Sequence, residues 1–267
     1  MMNVKILVCC HKLGVLPTGT SYLNIHVGAS SSTSNLNIQR DDEGENISNK
    51  NKNYCELTGM YWAWKNLDCD YVGLCHYRRY FNLDSWISNN REAIHVEEDE
   101  FPIVRTDVIE RIFKSSDIIL PGKLYLSMSV GDAYCVSHSA IDLNITKDVI
   151  KELYPDYFES FDFIMNKSNS YSPCNMFIMN KKEFDKYCKW LFDILFEVEK
   201  RVCLSNYDSR QQRIFGFLSE RLFNVYVHHQ RFKIVYRPMV SMVAKKKVSR
   251  AYALAHRIKS SICFWLR

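Results

Sequence analysis

Short apolar runs alternate along the chain with stretches of helical spacing. The apolar runs have strand length, are rich in β-branched and aromatic residues, and end on polar or turn-forming residues. These predicted strands cover residues 4–10, 71–75, 117–122 and 174–180, with a weaker one in residues 22–30. Runs that are apolar at nearly every position are typical of strands covered on both faces, as in a parallel sheet.

Helical spacing, with apolar residues recurring every three or four positions, occupies most of the remaining chain. The predicted helices cover residues 53–67, 107–114, 131–143, 148–165, 181–202 and 208–229. In the first of them Asn53 is a candidate N-cap with Glu56 three residues later, and Leu57, Met60 and Trp64 share one face. The order strand, loop, helix, strand predicts an α/β fold with a largely parallel central sheet.

A polar loop rich in Ser, Asn and Asp separates the second strand from the first helix, over residues 30–53. Loops of this length inside compact domains tend to be functional or mobile. Arg40, Asp41 and Asp42 lie in it, and a carboxylate there could bind ribose hydroxyls or a uracil imide. A solvated charged loop is the alternative.

Composition narrows the class of protein. The chain has 267 residues, of which 47% are hydrophobic, enough for one large domain with or without a small appendage. Its net charge of +5 is concentrated after residue 244, where seven Lys and Arg side chains occur without an acid. The rest of the chain is therefore slightly acidic, which argues against a basic nucleic-acid groove on the core.

Cysteine usage and hydropathy predict a cytoplasmic location. The ten cysteines show neither a CxxC pair nor metal-like spacing, so reduced thiols are expected. The apolar start is too short for a signal peptide, and no run approaches the roughly 20 apolar residues of a membrane-spanning helix.

Cations follow two of the predicted strands. His11 and Lys12 come after the first, and His76, Arg78 and Arg79 after the one at residues 71–75. In open α/β sheets ligands bind outside the carboxyl ends of the strands, and Arg supplies a bidentate fork that suits phosphate. The pattern predicts a diphosphate site. Pairing of the arginines with acids such as Asp84 or Glu92 is the alternative.

Three segments carry a resemblance to a known family. They are "RDDEGENISNKNKNYCELTGMYWAWKNLDCDYVGLCHYRRYF", "NMFIMNKKEFDKYCKWLFDILFEVEKR" and "RIFGFLSERLFNVY". Up to about Pro238 the chain resembles bacterial capsule and O-antigen glycosyltransferases formerly classed as a domain of unknown function. Some of these relatives are grouped as glycosyltransferase family 111, the galactofuranosyltransferases.

The resemblance implies a GT-A-like domain over residues 1–240. A nucleotide-binding half would cover about residues 1–125 and an acceptor half about residues 126–240. It implies a UDP-sugar donor, with UDP-galactofuranose as a candidate, and a lipid-linked or oligosaccharide acceptor in surface polysaccharide synthesis, with inversion at the sugar. The alternatives are a non-catalytic nucleotide- or polysaccharide-binding partner and a phosphotransferase, which the lack of a GxxxxGK[ST] loop disfavours.

In most such enzymes a D-x-D pair after the nucleotide half holds a divalent metal on the diphosphate. Here "CHYRR" stands at that point, while Asp68 and Asp70 precede the strand and are expected to form a structural turn. We therefore expect the cations to neutralise the leaving diphosphate without a metal or other cofactor. A divalent metal is the less favoured alternative.

The resemblance also suggests roles for residues in the second half. Asn175 is a candidate ligand of the donor sugar, and Glu220, Asp208 and Asp132 are candidate general bases. Each acid could instead be a surface or capping residue, and Asp208 suits an N-cap. Arg213, like Arg221, could contact phosphate or pair with these acids. His138, His228 and His229 lack the spacing of metal ligands, so they are expected to be core or surface residues.

Residues 241–267 are predicted to form a basic amphipathic tail. A helix there would gather six apolar residues on one face: Val248, Ala251, Leu254, Ala255, Ile258 and Ile262. Arg250, Arg257 and Lys259 would flank this face, and Phe264 and Trp265 suit an interfacial anchor. We expect peripheral binding to the inner face of the plasma membrane. The alternative is a helix packed on the body with its lysines in water.

Overall fold

The computed structural model describes residues 2–12, 14–85, 101–242 and 250–266, with side chains from residue 254 onward in the last range. Some residues that carried sequence predictions lie outside these ranges, namely Glu92, Lys245, Lys246, Lys247 and Val248.

Eleven strands occur within the described ranges. They are β1 (Val4–Cys10), β2 (Tyr22–His26), β3 (Gln39–Arg40), β4 (Tyr71–His76), β5 (Arg79–Phe81), β6 (Ile118–Pro121), β7 (Leu124–Tyr125), β8 (Ser170–Tyr171), β9 (Phe177–Asn180), β10 (Ile234–Arg237) and β11 (Met239–Ser241).

The α-helices of the described residues lie between these strands and after the last one. They are α1 (Asn51–Tyr54), α2 (Leu57–Asn66), α3 (Thr106–Phe113), α4 (Val130–Ser137), α5 (Ala140–Leu153), α6 (Phe158–Asp162), α7 (Lys181–Arg201), α8 (Ile214–Gln230) and α9 (Arg250–Trp265). None of the described helices is long and apolar enough to span a membrane.

The central sheet has the strand order β10-β6-β9-β4-β1-β2-β3. Neighbours pair in parallel except at β9, which runs antiparallel to both β4 and β6. Strands β5 and β11 extend the sheet from the end of β4 through antiparallel pairs. The predicted α/β fold with a largely parallel central sheet is confirmed.

Side chains of β1 alternate between two cores. Leu7 and Cys9 point to the larger core, which helices α2, α7 and α8 cover, whereas Ile6 and Val8 point to the smaller one on the opposite face. Both faces of the strand are therefore buried, which explains its unbroken apolar sequence. The arrangement leaves the carboxyl ends of the parallel strands β1, β2 and β4 together at one edge of the sheet.

Several predicted helix boundaries were wrong. Asn53 is not an N-cap: it lies inside α1, and the chain breaks at Cys55, whose φ is 54°, before α2 begins. The segment at 131–143 divides near His138, and the segment at 148–165 divides near Pro155, which opens a short 3₁₀ turn. Helix α8 begins six residues later than the predicted start at Asp208.

Candidate functional site

A cleft of about 720 Å³ opens at the carboxyl ends of β1 and β4. Its walls come from these strand ends, from the α1–α2 junction, from the turn before β9 and from α8. The lining residues are Cys9, His11, Val27, Asn51, Lys52, Cys55, Glu56, His76, Tyr77, Arg78, Arg79, Cys174, Ser209, Arg213, Gly216, Phe217 and Glu220. A second cavity of about 420 Å³ shares His11, Val27, Asn51 and Lys52 with it and continues towards β2.

Positive charge dominates the lining of this cleft. Lys52, Arg78, Arg79 and Arg213 contribute four cations against the two carboxylates of Glu56 and Glu220. Among the described residues none of these four cations forms an ion pair. The cleft is therefore a ready site for an anion with several charges.

The alternative partners considered for the arginines lie elsewhere. Asp84 approaches Arg105 at 4.0 Å rather than Arg78 or Arg79, and Glu92 is outside the described residues. The Arg78 guanidinium instead lies 4.9 Å from the ring centroid of Tyr77. This contact orients the arginine without neutralising it.

His11 contributes an imidazole rather than a positive charge. Its ring meets Tyr77 edge-on at 5.2 Å between centroids. Burial lowers its pKa below the usual 6.5, and the neighbouring cations Lys12, Arg213 and Arg78 lower it further, so the ring is neutral at pH 7. Lys12 does not line the cleft, and its Nζ lies 5.9 Å from the Tyr77 ring centroid.

The turn before β9 is fixed from two sides. His76 donates from Nε2 to the carbonyl of Cys174 at 2.6 Å, and the Cys174 amide donates to Glu220 Oε1 at 2.5 Å. Cys174 and Asn175 both adopt left-handed backbone conformations, with φ of 70° and 50°. His76, expected as a diphosphate ligand, thus uses this nitrogen to hold the floor of the cleft.

Glu220 lines the cleft, yet both of its carboxylate oxygens have protein partners. Oε1 accepts from Cys174, and Oε2 pairs with Arg221 at 2.5 Å. Arg221 is largely buried, and its guanidinium lies near the rings of Tyr134 and Tyr171. Arg221 was expected either to contact phosphate or to pair with an acid, and in the structure it pairs with Glu220.

Asn175 lies beneath the cleft and not in its lining. The residue is only 2% exposed, and its Nδ2 donates at 2.9 Å both to Glu56 Oε1 and to Ser219 Oγ. Direct contact with a donor sugar, as the resemblance suggested, does not fit this buried position. Asn175 instead holds Glu56, whose second oxygen, Oε2, makes no hydrogen bond within the described part of the chain.

The other two candidate bases lie outside the lining. Asp208 is exposed, and its Oδ1 accepts from the Gln211 amide at 2.7 Å in the segment before α8, so it is not the N-cap of that helix. Asp132 is exposed in the first turn of α4, where its backbone amide donates a hydrogen bond to the Ser129 hydroxyl. Only Glu220 of the three predicted acids reaches the cleft.

The acids of the polar loop stabilise the loop itself. Asp41 is fully buried and accepts from the amides of Gly28 and Ala29 and from the Ser48 hydroxyl. Arg40 and Asp42 form a two-bonded ion pair with each other. None of these residues lines either cavity, which does not support the expectation that they bind the nucleoside.

The end of β4 does not offer the ligands of a divalent metal. Arginine cannot coordinate a cation, and the Nε2 of His76 is committed to Cys174. Asp70 lies at the other end of the strand and accepts from the Asn3 amide at 2.7 Å, as expected for a structural turn. The described residues contain no cluster of three or more His, Cys, Asp or Glu side chains arranged to hold a metal.

Comparison with protein families gives one match. The model of a family described as a domain of unknown function, DUF4422, matches residues 5–231. The chain belongs to this family. A search of curated proteins finds no match to this DUF4422 chain.

Among solved structures, the DUF4422 chain is similar to an apo structure of the WbbM bifunctional glycosyltransferase. The two share 29% sequence identity, with a TM-score of 0.79. The similarity covers 91% of this chain but only 46% of that one, so this chain spans less than half of its length. The predicted glycosyltransferase-like fold is confirmed by this similarity.

Sequence reasoning missed two charged residues of the DUF4422 cleft, Lys52 and Glu56. Lys52 was included in the polar loop, and Glu56 was interpreted as part of a helix cap. The predicted helix ran through Cys55, but the chain breaks there, and Lys52 and Glu56 on either side of the break both line the cleft. The signal that could have revealed them is the pair of charged residues at the end of the polar loop, just before a predicted helix of the α/β fold.

Proposed function

We propose that this protein is a glycosyltransferase that moves a sugar from a nucleotide donor to an acceptor in bacterial polysaccharide synthesis. The observation that carries the proposal is the cleft at the ends of β1 and β4, with four cations that no described acid neutralises. The similarity to a glycosyltransferase structure over 91% of the chain supports the same class.

In this proposal Arg78, Arg79, Arg213 and Lys52 bind the donor diphosphate. Bond breaking at the sugar leaves charge on the diphosphate oxygens, and preorganised cations stabilise that charge more in the transition state than in the ground state. The same cations occupy the position at which a metal would act, so we propose transfer without a metal. Lys12 lies outside the lining, next to His11, and its charge would favour approach of the anion.

We propose Glu56 as the general base in place of the acids considered from the sequence. Glu56 lines the cleft and its Oε2 has no hydrogen bond to a described residue, whereas both oxygens of Glu220 are occupied. Glu56 would accept the proton of the acceptor hydroxyl while that oxygen forms a bond to the anomeric carbon. The bond from this carbon to the diphosphate breaks in the same step, which inverts the configuration.

The proposed substrates are a UDP-sugar, with UDP-galactofuranose as a candidate, and a lipid-linked or oligosaccharide acceptor. In this assignment residues 1–125 supply most of the donor site, and Arg213 and Glu220 reach it from the acceptor half. The second cavity, which continues from the cleft past His11, has room for part of the nucleoside.

Incubation with a panel of nucleotide sugars tests the proposed function. We expect slow release of the nucleoside diphosphate from one donor, faster release when acceptor is added, and unchanged rates in EDTA. Binding of a nucleotide without turnover of any donor would favour the alternative, a non-catalytic binding partner. Loss of turnover in EDTA with recovery on adding manganese would instead contradict the role given to the cations.

A further inference from the structure

Helix α9 carries an uncovered apolar stripe. Leu254, Ile258, Ile262 and Trp265 recur every three or four residues, which places them along one side of the helix. Their side chains are 57%, 51%, 53% and 80% exposed. Phe264, expected beside Trp265 as an anchor, is half-buried.

A different side of α9 rests on the body of the protein. The Arg257 guanidinium lies 4.6 Å from the ring centroid of Tyr125 in β7, and Ser260 is only 6% exposed. At about 100° per residue, Arg257 and Ser260 lie roughly 95° and 155° around the helix from the centre of the stripe. The body therefore seats α9 with its apolar stripe turned outward.

The charge around the stripe favours an anionic surface. Residues 243–267 contain seven Lys and Arg and no Asp or Glu, and Lys259 is exposed on the helix beside the stripe. An apolar stripe flanked by cations alone is typical of helices that lie in the interface of an anionic bilayer. A second copy of this chain would bring the same positive charges together, which disfavours pairing of two α9 helices.

We propose that α9 binds an anionic lipid bilayer, with Leu254, Ile258, Ile262 and Trp265 inserted at the boundary between headgroups and acyl chains. The proposal does not depend on the proposed function, because the binding requires no substrate. If both hold, the bilayer would bring the cleft to the surface on which a lipid-linked acceptor is found.

Co-sedimentation with vesicles tests the proposal on the full chain. The test variant is Ile258→Glu with Ile262→Glu, and the control is Val136→Glu with Ile141→Glu, which adds the same two charges at positions that are 76% and 69% exposed on α4 and α5. On vesicles of phosphatidylcholine with phosphatidylglycerol, we expect the double variant to lose about tenfold or more in partitioning, because two apolar anchors become charged. The control should bind like the parent chain.

Binding of the parent chain should be weaker on pure phosphatidylcholine vesicles, because they carry no net negative charge to attract the cations. Added salt should also weaken binding to the anionic vesicles, because it screens this attraction. Equal sedimentation of the double variant and the parent would overturn the proposal, as would failure of the parent to bind anionic vesicles. A fall from dimer to monomer in the double variant, measured by analytical ultracentrifugation, would assign the stripe to a second copy. All substituted positions are already exposed, so melting temperatures should stay close to that of the parent.

Discussion

Two glutamates in the cleft differ in what their oxygens contact. Glu220 gives one oxygen to the Cys174 amide and the other to a largely buried arginine. Glu56 lines the cleft with one oxygen on Asn175 and the other without a hydrogen bond in the described part of the chain. A carboxylate whose oxygens are both bonded stabilises its surroundings, whereas one with an open oxygen is available to a substrate hydroxyl.

The substitutions Glu56→Gln and Glu220→Gln should therefore have different effects. We expect Glu56→Gln to lower kcat by about a hundredfold to ten-thousandfold with little change in donor KM or melting temperature. Glu220→Gln should lower the free energy of unfolding by about 1–3 kcal/mol, because Arg221 loses its charged partner in a buried setting. Rate measurements with urea unfolding of both variants check this, and a near-normal kcat in Glu56→Gln would return Glu220 to consideration as the base.

His11 gives the nucleotide affinity a dependence on pH. Its pKa is below 6.5 in the free protein, and a nearby diphosphate would raise it, so binding takes up a proton. Affinity for UDP should then rise as the pH falls through the pKa that His11 has in the complex. It should level off once the pH is below the pKa that His11 has in the free protein. The total gain is about tenfold for each pH unit between these two pKa values. Protonation of UDP itself, near pH 6, acts in the opposite direction.

The His11→Asn variant separates these two effects, since it retains the titration of UDP and loses that of His11. Calorimetric titrations between pH 5 and 8 should show the parent gaining affinity relative to the variant as the pH falls. A constant ratio of the two affinities across this range would mean that His11 does not sense the diphosphate.

At the scale of elements, the cleft depends on how closely β4 lies between its neighbours. Gly73 is in the middle of this strand, and a Cβ there would lie 3.0 Å from side-chain atoms of both Ile6 and Ile178 and 3.1 Å from the Phe177 carbonyl. The strand has no space for a methyl group on that face. Its carboxyl end carries His76, so a displaced β4 would also move the floor of the cleft.

Gly73→Ala should lower the free energy of unfolding by about 1–3 kcal/mol, because both neighbouring strands must give way. Gly14→Ala is the matched control, since nothing lies within 4 Å of its added Cβ. Urea unfolding of the two variants makes the comparison. Equal stability of both would show that the sheet adjusts more readily than these distances indicate.

The elements that sequence predicted well are those whose apolar pattern is set by burial on both faces, such as β1 and β4. Prediction failed where backbone geometry, and not hydrophobicity, decides the structure. The break at Cys55 and the left-handed pair at Cys174 and Asn175 leave no trace in the apolar spacing. Because those two places position Glu56, the base we propose could not have been found from periodicity.

The cationic part of the site was predictable for a different reason. Parallel strands bring their carboxyl ends to one edge, so the residues that follow β1 and β4 had to lie together. Which of these residues stay charged and without an ion-pair partner depends on side-chain contacts between distant parts of the chain. His76 is committed to a carbonyl and His11 is neutral, whereas Arg213 reaches the cleft from the turn before α8, far along the chain.

For the whole molecule, the sheet joins the two halves that the resemblance assigned to donor and acceptor. Strand β9, from the second half, lies between β4 and β6 of the first. Removing it would leave both strands without a hydrogen-bonding neighbour on that side. The two halves thus form a single sheet, and the cleft takes residues from both.

Fragments 1–125 and 126–267 should consequently fail to fold when each is expressed alone. We expect little near-ultraviolet circular dichroism and no cooperative thermal transition from either fragment. Their co-expression gives β9 access to its place and should recover at least part of the UDP binding. A cooperatively folded 1–125 fragment that binds UDP would show that the nucleotide half is autonomous.

The turn that precedes β9 also has a consequence for protection of the backbone from solvent. Cys174 lies outside any helix or strand, where amide protons commonly exchange with deuterium within seconds to minutes. Its N–H, however, is held by Glu220, and its carbonyl by His76. Exchange at this amide requires the turn, which His76 also holds, to separate from Glu220 of α8, so it should be as slow as exchange in the sheet itself. A slow amide within an irregular segment would then report directly, in the protein without ligand, that the cleft is already assembled.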